Sequence, residues 1–205
     1  MTYAWKSVAL LSALSLAACG ANTERAADNA VDATQNALSD TADAAGNVLE
    51  NAGQALTPTP LPQEFADRAA RSDAFEIAAA EIAAKNAASA EVKAFASTMI
   101  DAHKQSTDAF KKAAAAASPA ITPNAKLTDD QEEDLAELRK LTGAEFDKKY
   151  VDEQVDAHED ALDLMKKYAA DGEVPSLKIA ASDTVAVIER HLAQAKELDT
   201  LLDKD

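Results

Sequence analysis

Apolar residues recur at steps of three and four along most of the chain after residue 62, which is the period of an amphipathic helix. This period predicts four long helices, over residues 63–87, 90–117, 144–170 and 176–202. Turn-forming pairs, Ser118-Pro119 and Asp171-Gly172, end the second and third of them. A capping-box signature at Thr128 and Gln131 predicts a shorter helix over residues 129–141 in the long link.

Two helical pairs joined by a long link are the layout of a ferritin-like four-helix bundle. The loop inside each pair is short, so we expect its helices to be antiparallel neighbours. The link over residues 117–144 is long enough to return the chain along the bundle. We therefore predict an all-α fold in which residues 63–205 form one ferritin-like domain with a short extra helix in its crossover.

The histidines of the chain all fall on apolar, core-facing stripes of these helices. They are His103, His158 and His191. On the first helix the same spacing turns Glu76 toward the core or its boundary. Each of these residues lies close to the midpoint of its own helix, and the midpoints of bundled helices share one level. The sequence therefore predicts a polar layer across the middle of the core, with Gln154 and Thr184 one turn away.

Two interpretations of this layer stay open. A cluster of Glu76, His103, His158 and His191 can bind zinc or another first-row metal, because neutral imidazole is a common metal ligand. Alternatively, the layer is joined by hydrogen bonds and fixes the register of the helices, without a cofactor. The second interpretation is favoured, because core histidines are more often hydrogen-bonded than bound to a metal.

Di-iron chemistry is disfavoured by the spacing of the acids. Ferritin-like di-iron proteins use Glu-x-x-His on two helices, since residues three apart share a face. The residues three positions before the histidines are apolar here: Ile100, Val155 and Ile188. The acids stand two positions before them, roughly 200° around the helix, and therefore point away. These acids are Asp101, Asp156 and Glu189.

The first twenty residues have the features of a secretory signal. Lys6 precedes an apolar run from Val8 to Ala18, which is about half the roughly 20 residues that a membrane-spanning helix needs. The run ends in Leu16-Ala17-Ala18-Cys19, which resembles the lipobox of bacterial lipoproteins. In that family the cysteine receives a diacylglyceryl group, the chain is cut before it, and the new amine is often acylated, for example with palmitate. The resemblance implies a signal peptide over residues 1–18 and a membrane anchor on Cys19, the single cysteine.

Residues 19–62 are expected to form a tether between this anchor and the bundle. They are rich in Ala, Asn, Asp and Thr and end in a proline-rich stretch over residues 57–62. Their heptad stripe consists mostly of alanine and buries little area, so we predict a weakly helical or disordered stalk. Gly20 stands where aspartate retains many Gram-negative lipoproteins at the inner membrane. The expected location is therefore the outer membrane, facing the periplasm.

Acidic charge excludes nucleic acid as an expected partner. The chain has a formal charge of −16, and removing residues 1–18, whose one charged side chain is Lys6, makes it −17. Such a surface repels phosphate backbones, which bind clustered Lys and Arg. No disulfide framework is available to a chain with one cysteine.

Most of the predicted domain resembles a bacterial family known as domain of unknown function family 4142. The matching stretches include Ser72-Asp73-Ala74-Phe75-Glu76-Ile77, Met99-Ile100-Asp101-Ala102-His103, Gln154-Val155-Asp156-Ala157-His158 and His191-Leu192. Members are described as outer-membrane or exported proteins with a ferritin-like bundle, without an established activity. The resemblance implies this fold, and it implies that the polar layer belongs to the family pattern.

The leading functional hypothesis is a non-enzymatic envelope lipoprotein that presents a helical bundle for binding, structural or stress-related work. No Ser, Lys or Cys stands in a recognisable nucleophile–base arrangement, and no protein partner is indicated. The alternative is a metal-binding or metal-dependent redox protein that uses Glu76 and the three histidines.

Overall fold

The computed structural model of the protein describes residues 58–204, which contain five α-helices. They are α1 (Pro62–Asn86), α2 (Ala90–Ala115), α3 (Asp129–Leu138), α4 (Gly143–Asp171) and α5 (Pro175–Leu202). The predicted all-α fold is confirmed, and the predicted helices match the observed ones to within three residues at each end. The predicted signal peptide, Cys19 and the stalk before residue 58 lie outside the described residues.

Side-chain contacts near the helix ends show how the helices are paired. Phe65, at the start of α1, packs edge-on against Phe110 near the end of α2, with ring centroids 5.8 Å apart. Lys148, near the start of α4, forms an ion pair with Asp199 near the end of α5, at 2.6 Å between Nζ and Oδ1. Both hairpins, α1/α2 and α4/α5, are therefore antiparallel.

The two hairpins pack with α1 against α4 and α2 against α5. Phe65 stacks on Tyr168 near the end of α4, with ring centroids 3.7 Å apart. The hydroxyl of Ser176, at the start of α5, donates to the carbonyl of Ala113 near the end of α2. Each of the four long helices is thus antiparallel to its neighbours among the four, and the crossover over residues 116–142 returns the chain along the bundle, with α3 against α1 and α4. This is the ferritin-like arrangement that the sequence predicts.

Polar side chains fix several helix starts. The predicted capping box is present at α3, where Thr128 and Gln131 bond reciprocally to each other's backbone amides. At α2, Ser89 accepts from the amides of Glu91 and Val92. The buried carboxylate of Asp147, on α4, accepts from the amides of Ala88 and Ser89. Asp147 therefore attaches the start of α2 to the other hairpin.

The core consists of two apolar clusters with a polar layer between them. The cluster at the α1-start end is built around Phe65, Phe110, Met165, Tyr168 and Leu177. The cluster at the opposite end of the bundle, where α1 ends, is built around Val92, Phe95, Met99, Phe146 and Tyr150. Buried polar residues occupy the level between the clusters: Asp73, Glu76, Gln154, His158 and His191. None of the helices within residues 58–204 combines the length and apolarity needed to cross a bilayer.

Candidate metal centre

The three histidines come together in the middle of the bundle. The centroid of the His158 ring lies 5.8 Å from that of His103 and 5.6 Å from that of His191, and the remaining pair is 6.3 Å apart. One ring nitrogen from each histidine can be chosen so that all three lie within 4.8 Å of one another. Three separate helices, α2, α4 and α5, supply these rings, because each helix carries its histidine on the core-facing stripe at the same depth.

The ring of His103 is held by a buried carboxylate that sequence reasoning missed. Nδ1 of His103 lies 2.9 Å from Oδ1 of Asp73, and Oδ2 of Asp73 accepts from the hydroxyl of Thr107 at 3.1 Å. A carboxylate at Nδ1 favours a proton on that nitrogen and leaves the lone pair on Nε2. Nε2 of His103 is buried and has no hydrogen-bond partner within residues 58–204.

The ring of His158 is held in a similar way from within its own helix. Its Nδ1 donates to the backbone carbonyl of Gln154, one turn earlier, at 2.8 Å. Its Nε2 is also buried without a hydrogen-bond partner in the described part of the chain. In both histidines, therefore, one nitrogen is anchored and the other is free to bind a ligand.

The protonation of the rings suits metal binding. Burial, reinforced by the charge of His103, lowers the pKa of His158 to about 4. Burial and the neighbouring His158 and His103 likewise lower the pKa of His191 to about 4. Both rings are thus neutral at pH 7, which is the form of imidazole that binds metals.

His103 differs from the other two rings because acids surround it. Burial alone would lower the pKa of His103, but the hydrogen bond to Asp73 and the charges of Glu76 and Asp73 outweigh burial and raise it. The pocket therefore favours positive charge at this ring. A bound cation would supply that charge in place of the proton.

Glu76 is 1% exposed and lines the same cavity as the histidines, but it is not a member of the ligand group found in the described residues. Its Oε2 accepts from the side-chain amide of Gln154. Its Oε1 is buried and lacks any partner in residues 58–204. Burial raises the pKa of Glu76, and the charge of His103 and the bond from Gln154 oppose that rise.

A cavity of about 40 Å³ lies between these side chains. Its remaining wall is mostly alanine and larger apolar groups, with Met165 and Ile188 on the side of the α1-start cluster. Thr184, predicted one turn away, also lines the cavity, but its hydroxyl donates to the carbonyl of Ala180 at 2.7 Å. A single water molecule needs about 10–15 Å³ of such volume, so the cavity has room for an ion together with one or two waters.

The spacing of the nitrogens is close to what a metal requires. Zinc binds imidazole nitrogen at about 2.0–2.1 Å, so the nitrogens of a tetrahedral site are about 3.3 Å apart. The three histidine nitrogens lie within 4.8 Å of one another and would have to approach by up to about 1.5 Å. Metal binding would therefore draw the three rings closer together.

The acids that sequence reasoning placed outside the core are indeed exposed: Asp101, Asp156 and Glu189. Asp73 was missed because two stripes overlap on α1. The series Ala69, Ser72, Glu76 and the series Ala69, Asp73, Glu76 both follow helical steps, and the apolar pattern did not separate them. The pairing of Asp73 with Glu76 at i, i+3 was the available signal.

Fold and site together define a ferritin-like helical-bundle protein with a buried three-histidine cluster. Residues 48–198 match the family described as "Domain of unknown function (DUF4142)", and the protein belongs to that family. The resemblance seen in the sequence is therefore confirmed. No curated protein and no solved structure matches the chain.

Proposed function

We propose that this protein is a membrane-anchored envelope lipoprotein whose bundle binds one first-row transition-metal ion, with zinc as the best fit. The ligands are His103, His158 and His191. One observation carries this proposal: the Nε2 atoms of His103 and His158 are buried without partners among the described residues, beside a third imidazole. A buried polar atom without a hydrogen bond costs about 1–3 kcal/mol, and a metal bond removes that cost.

The ligand type narrows the choice of ion. Neutral imidazole suits zinc, copper, nickel and iron, whereas magnesium and calcium prefer oxygen ligands. Zinc is most often four-coordinate with nitrogen or sulfur ligands, and three histidines are an established zinc set. The carboxylate of Asp73 on Nδ1 of His103 is the usual outer support of such a ligand.

A second candidate function is a metal-free bundle in which the layer only sets helix register. It is supported by the hydrogen bonds that hold His103 to Asp73 and His158 to Gln154. In that case the layer serves specificity of folding, and the protein acts through its surface as a non-enzymatic envelope component.

Metal content separates the two candidates. We would purify the full-length protein in detergent without a histidine tag, add zinc, copper, manganese or iron, and measure bound metal by mass spectrometry. The proposal predicts about one ion per chain, lost in His103→Asn, His158→Asn and His191→Asn. Ser106→Ala, a cavity-lining change one turn from His103, serves as the control and should retain the ion. Absence of uptake of every metal by the folded wild-type protein would support the metal-free candidate instead.

The membrane anchor is supported by the lipobox resemblance at Leu16-Ala17-Ala18-Cys19 and by the absence of any other cysteine. Two or three acyl chains hold a protein firmly, at about 0.8 kcal/mol per buried methylene. In a Gram-negative host fed a palmitate analogue, the wild-type chain should be labelled and sediment with the outer membrane. Cys19→Ser should lose the label, and Gly20→Asp should keep it but move to the inner membrane. A wild-type protein released unlabelled from the periplasm would refute the anchor.

A further inference from the structure

The described residues supply only three nearby ligand atoms for a metal, one from each histidine. Structural zinc sites are closed by four protein ligands, whereas sites with three protein ligands hold a solvent molecule or another small ligand in the fourth position. The number of ligands therefore indicates an open position, provided that the proposed metal site exists.

Glu76 is placed to contact whatever fills that position. Its Oε2 is fixed by the amide of Gln154, while Oε1 is buried and lacks a partner in the described chain. Glu76 and the three histidines line one cavity, but Glu76 is not a member of the ligand group. A carboxylate oxygen can accept two hydrogen bonds, so Oε1 lacks a donor.

The size and lining of the cavity limit the identity of that donor. A volume of about 40 Å³ has room for an ion with one or two waters, which suits a small inorganic ligand. Of the other polar groups on the wall, Asp73 already contacts His103 and Thr107, and Thr184 donates to Ala180. The remaining two, Ser72 and Ser106, are only half-buried. Glu76 is thus the buried acceptor that is open to a small inorganic ligand.

We infer that the metal keeps one exchangeable position for a water molecule, and that this water donates a hydrogen bond to Oε1 of Glu76. This inference rests on the metal site proposed above. According to this inference, small inorganic anions can replace the water on the metal, while the metal stays bound to the three histidines. In the exchange the anion binds the metal and the water leaves, without a change of oxidation state.

The water ligand can be detected directly with Cu²⁺ as the probe metal. Full-length wild-type protein loaded with one equivalent of Cu²⁺ is transferred into water enriched in ¹⁷O and studied by electron–nuclear double resonance. We expect coupling from one coordinated ¹⁷O together with imidazole nitrogen. The measurement uses the wild-type protein, so it does not depend on any variant. Cu²⁺-loaded protein without ¹⁷O coupling would overturn the inference and leave the metal site standing.

The role of Glu76 is tested by Glu76→Gln, with Glu64→Gln, an exposed position on the same helix, as the control. Because Gln154 donates toward Oε2, the new amide should place its oxygen there and its NH₂ group toward the cavity, where it cannot accept from water. Metal content should stay at one ion per chain. In the Cu²⁺-loaded protein, the affinity for azide can be titrated by the azide-to-copper charge-transfer band. It should rise about tenfold in Glu76→Gln, which corresponds to one lost hydrogen bond to a charged acceptor.

Three results would contradict this role or its basis. Loss of metal in Glu76→Gln, as large as in the histidine variants, would make Glu76 a direct ligand and overturn the inference. Equal azide affinity in Glu76→Gln, Glu64→Gln and wild type would overturn the role of Glu76. Absence of metal from wild-type protein would refute the proposed function and this inference together.

Discussion

The core of this bundle is apolar at both ends and polar in the middle. At the α1-start end, Phe65 stacks on Tyr168 and meets Phe110 edge-on. At the middle level, Glu76, His103, His158 and Gln154 each carry a buried atom without a partner among the described residues. The ends are built mainly from apolar and aromatic groups, with one unpartnered buried hydroxyl in each, on Tyr168 and Tyr150, whereas the middle gathers four unsatisfied polar side chains at one level. Such a difference is typical of a ligand site set in a stable scaffold.

The same contrast is seen between two buried carboxylates, those of Asp147 and Glu76. Asp147 uses its oxygens on the backbone amides of Ala88 and Ser89 and so completes a helix start. Glu76 uses one oxygen on Gln154 and leaves the other without a partner in residues 58–204. Burial of a charged group therefore does not by itself mark a site. The unpaired atom, on a residue that lines a cavity, distinguishes Glu76 from Asp147.

The largest expected change in stability comes from the apolar end. Phe65→Ala removes a fully buried ring with two aromatic neighbours and should lower the free energy of unfolding by about 3–5 kcal/mol. Urea unfolding of the metal-free protein measures this value. Leu61→Ala, at a 67% exposed position, should change it by less than about 0.5 kcal/mol. Equal effects of the two changes would contradict the described packing.

A comparable change is expected from pH in the middle layer. The pKa of His158 is about 4 in the folded protein, below its ordinary value of about 6.5. The unfolded chain therefore binds more protons between these values, and stability falls as pH drops from 6.5 to 4. Relative to His158→Asn, the metal-free wild-type protein should lose on the order of 3 kcal/mol over this window. If the stability difference between the two proteins stays constant across the window, His158 is not buried in its neutral form.

Metal should stabilise the wild-type protein through the same residue. At a free zinc concentration of 100 times Kd, the free energy of unfolding should rise by about 2.7 kcal/mol. His158→Asn keeps a donor for the carbonyl of Gln154 but has no atom in the place of Nε2, so zinc should not stabilise it. Calorimetric scans with and without zinc provide the comparison, and equal stabilisation of both proteins would place the metal elsewhere.

Asp73 should affect metal binding through His103. Asp73→Asn weakens the partner of Nδ1, and loss of such an outer support lowers metal affinity by about 10–100-fold. Competition with a chromophoric chelator gives the affinities. Asp101→Asn, an exposed acid on the helix of His103, is the matched control and should retain the wild-type value. An unchanged affinity in Asp73→Asn would remove Asp73 from the site.

The smallest expected change in stability comes from Asp147, whose carboxylate oxygens both have hydrogen-bond partners. Asp147→Asn weakens the capping of α2 and should cost about 1 kcal/mol of stability, with no change in zinc affinity. Urea unfolding and chelator competition on the same sample measure both quantities. A loss of metal affinity in Asp147→Asn would erase the distinction between the two buried carboxylates.

The fold could be predicted from the sequence because the helices are long and their apolar residues are strongly periodic. It also placed Glu76, His103, His158 and His191 in one layer, since helical spacing and midpoint depth are readable from residue numbers. Asp147 was not foreseen, because its partner amides lie 58 and 59 residues earlier in the chain. The cavity and the free Nε2 atoms depend on ring rotamers and packing, which periodicity does not specify.

X-ray absorption at the zinc edge tests the central claim most directly. The full-length protein, loaded with one equivalent of zinc, should show a shell of nitrogen or oxygen ligands at about 2.0–2.1 Å. Outer-shell scattering should correspond to three imidazole rings, those of His103, His158 and His191. A sulfur shell at about 2.3 Å, which only Cys19 or a methionine could supply, or a spectrum without imidazole scattering, would contradict a metal centre in the middle of the bundle.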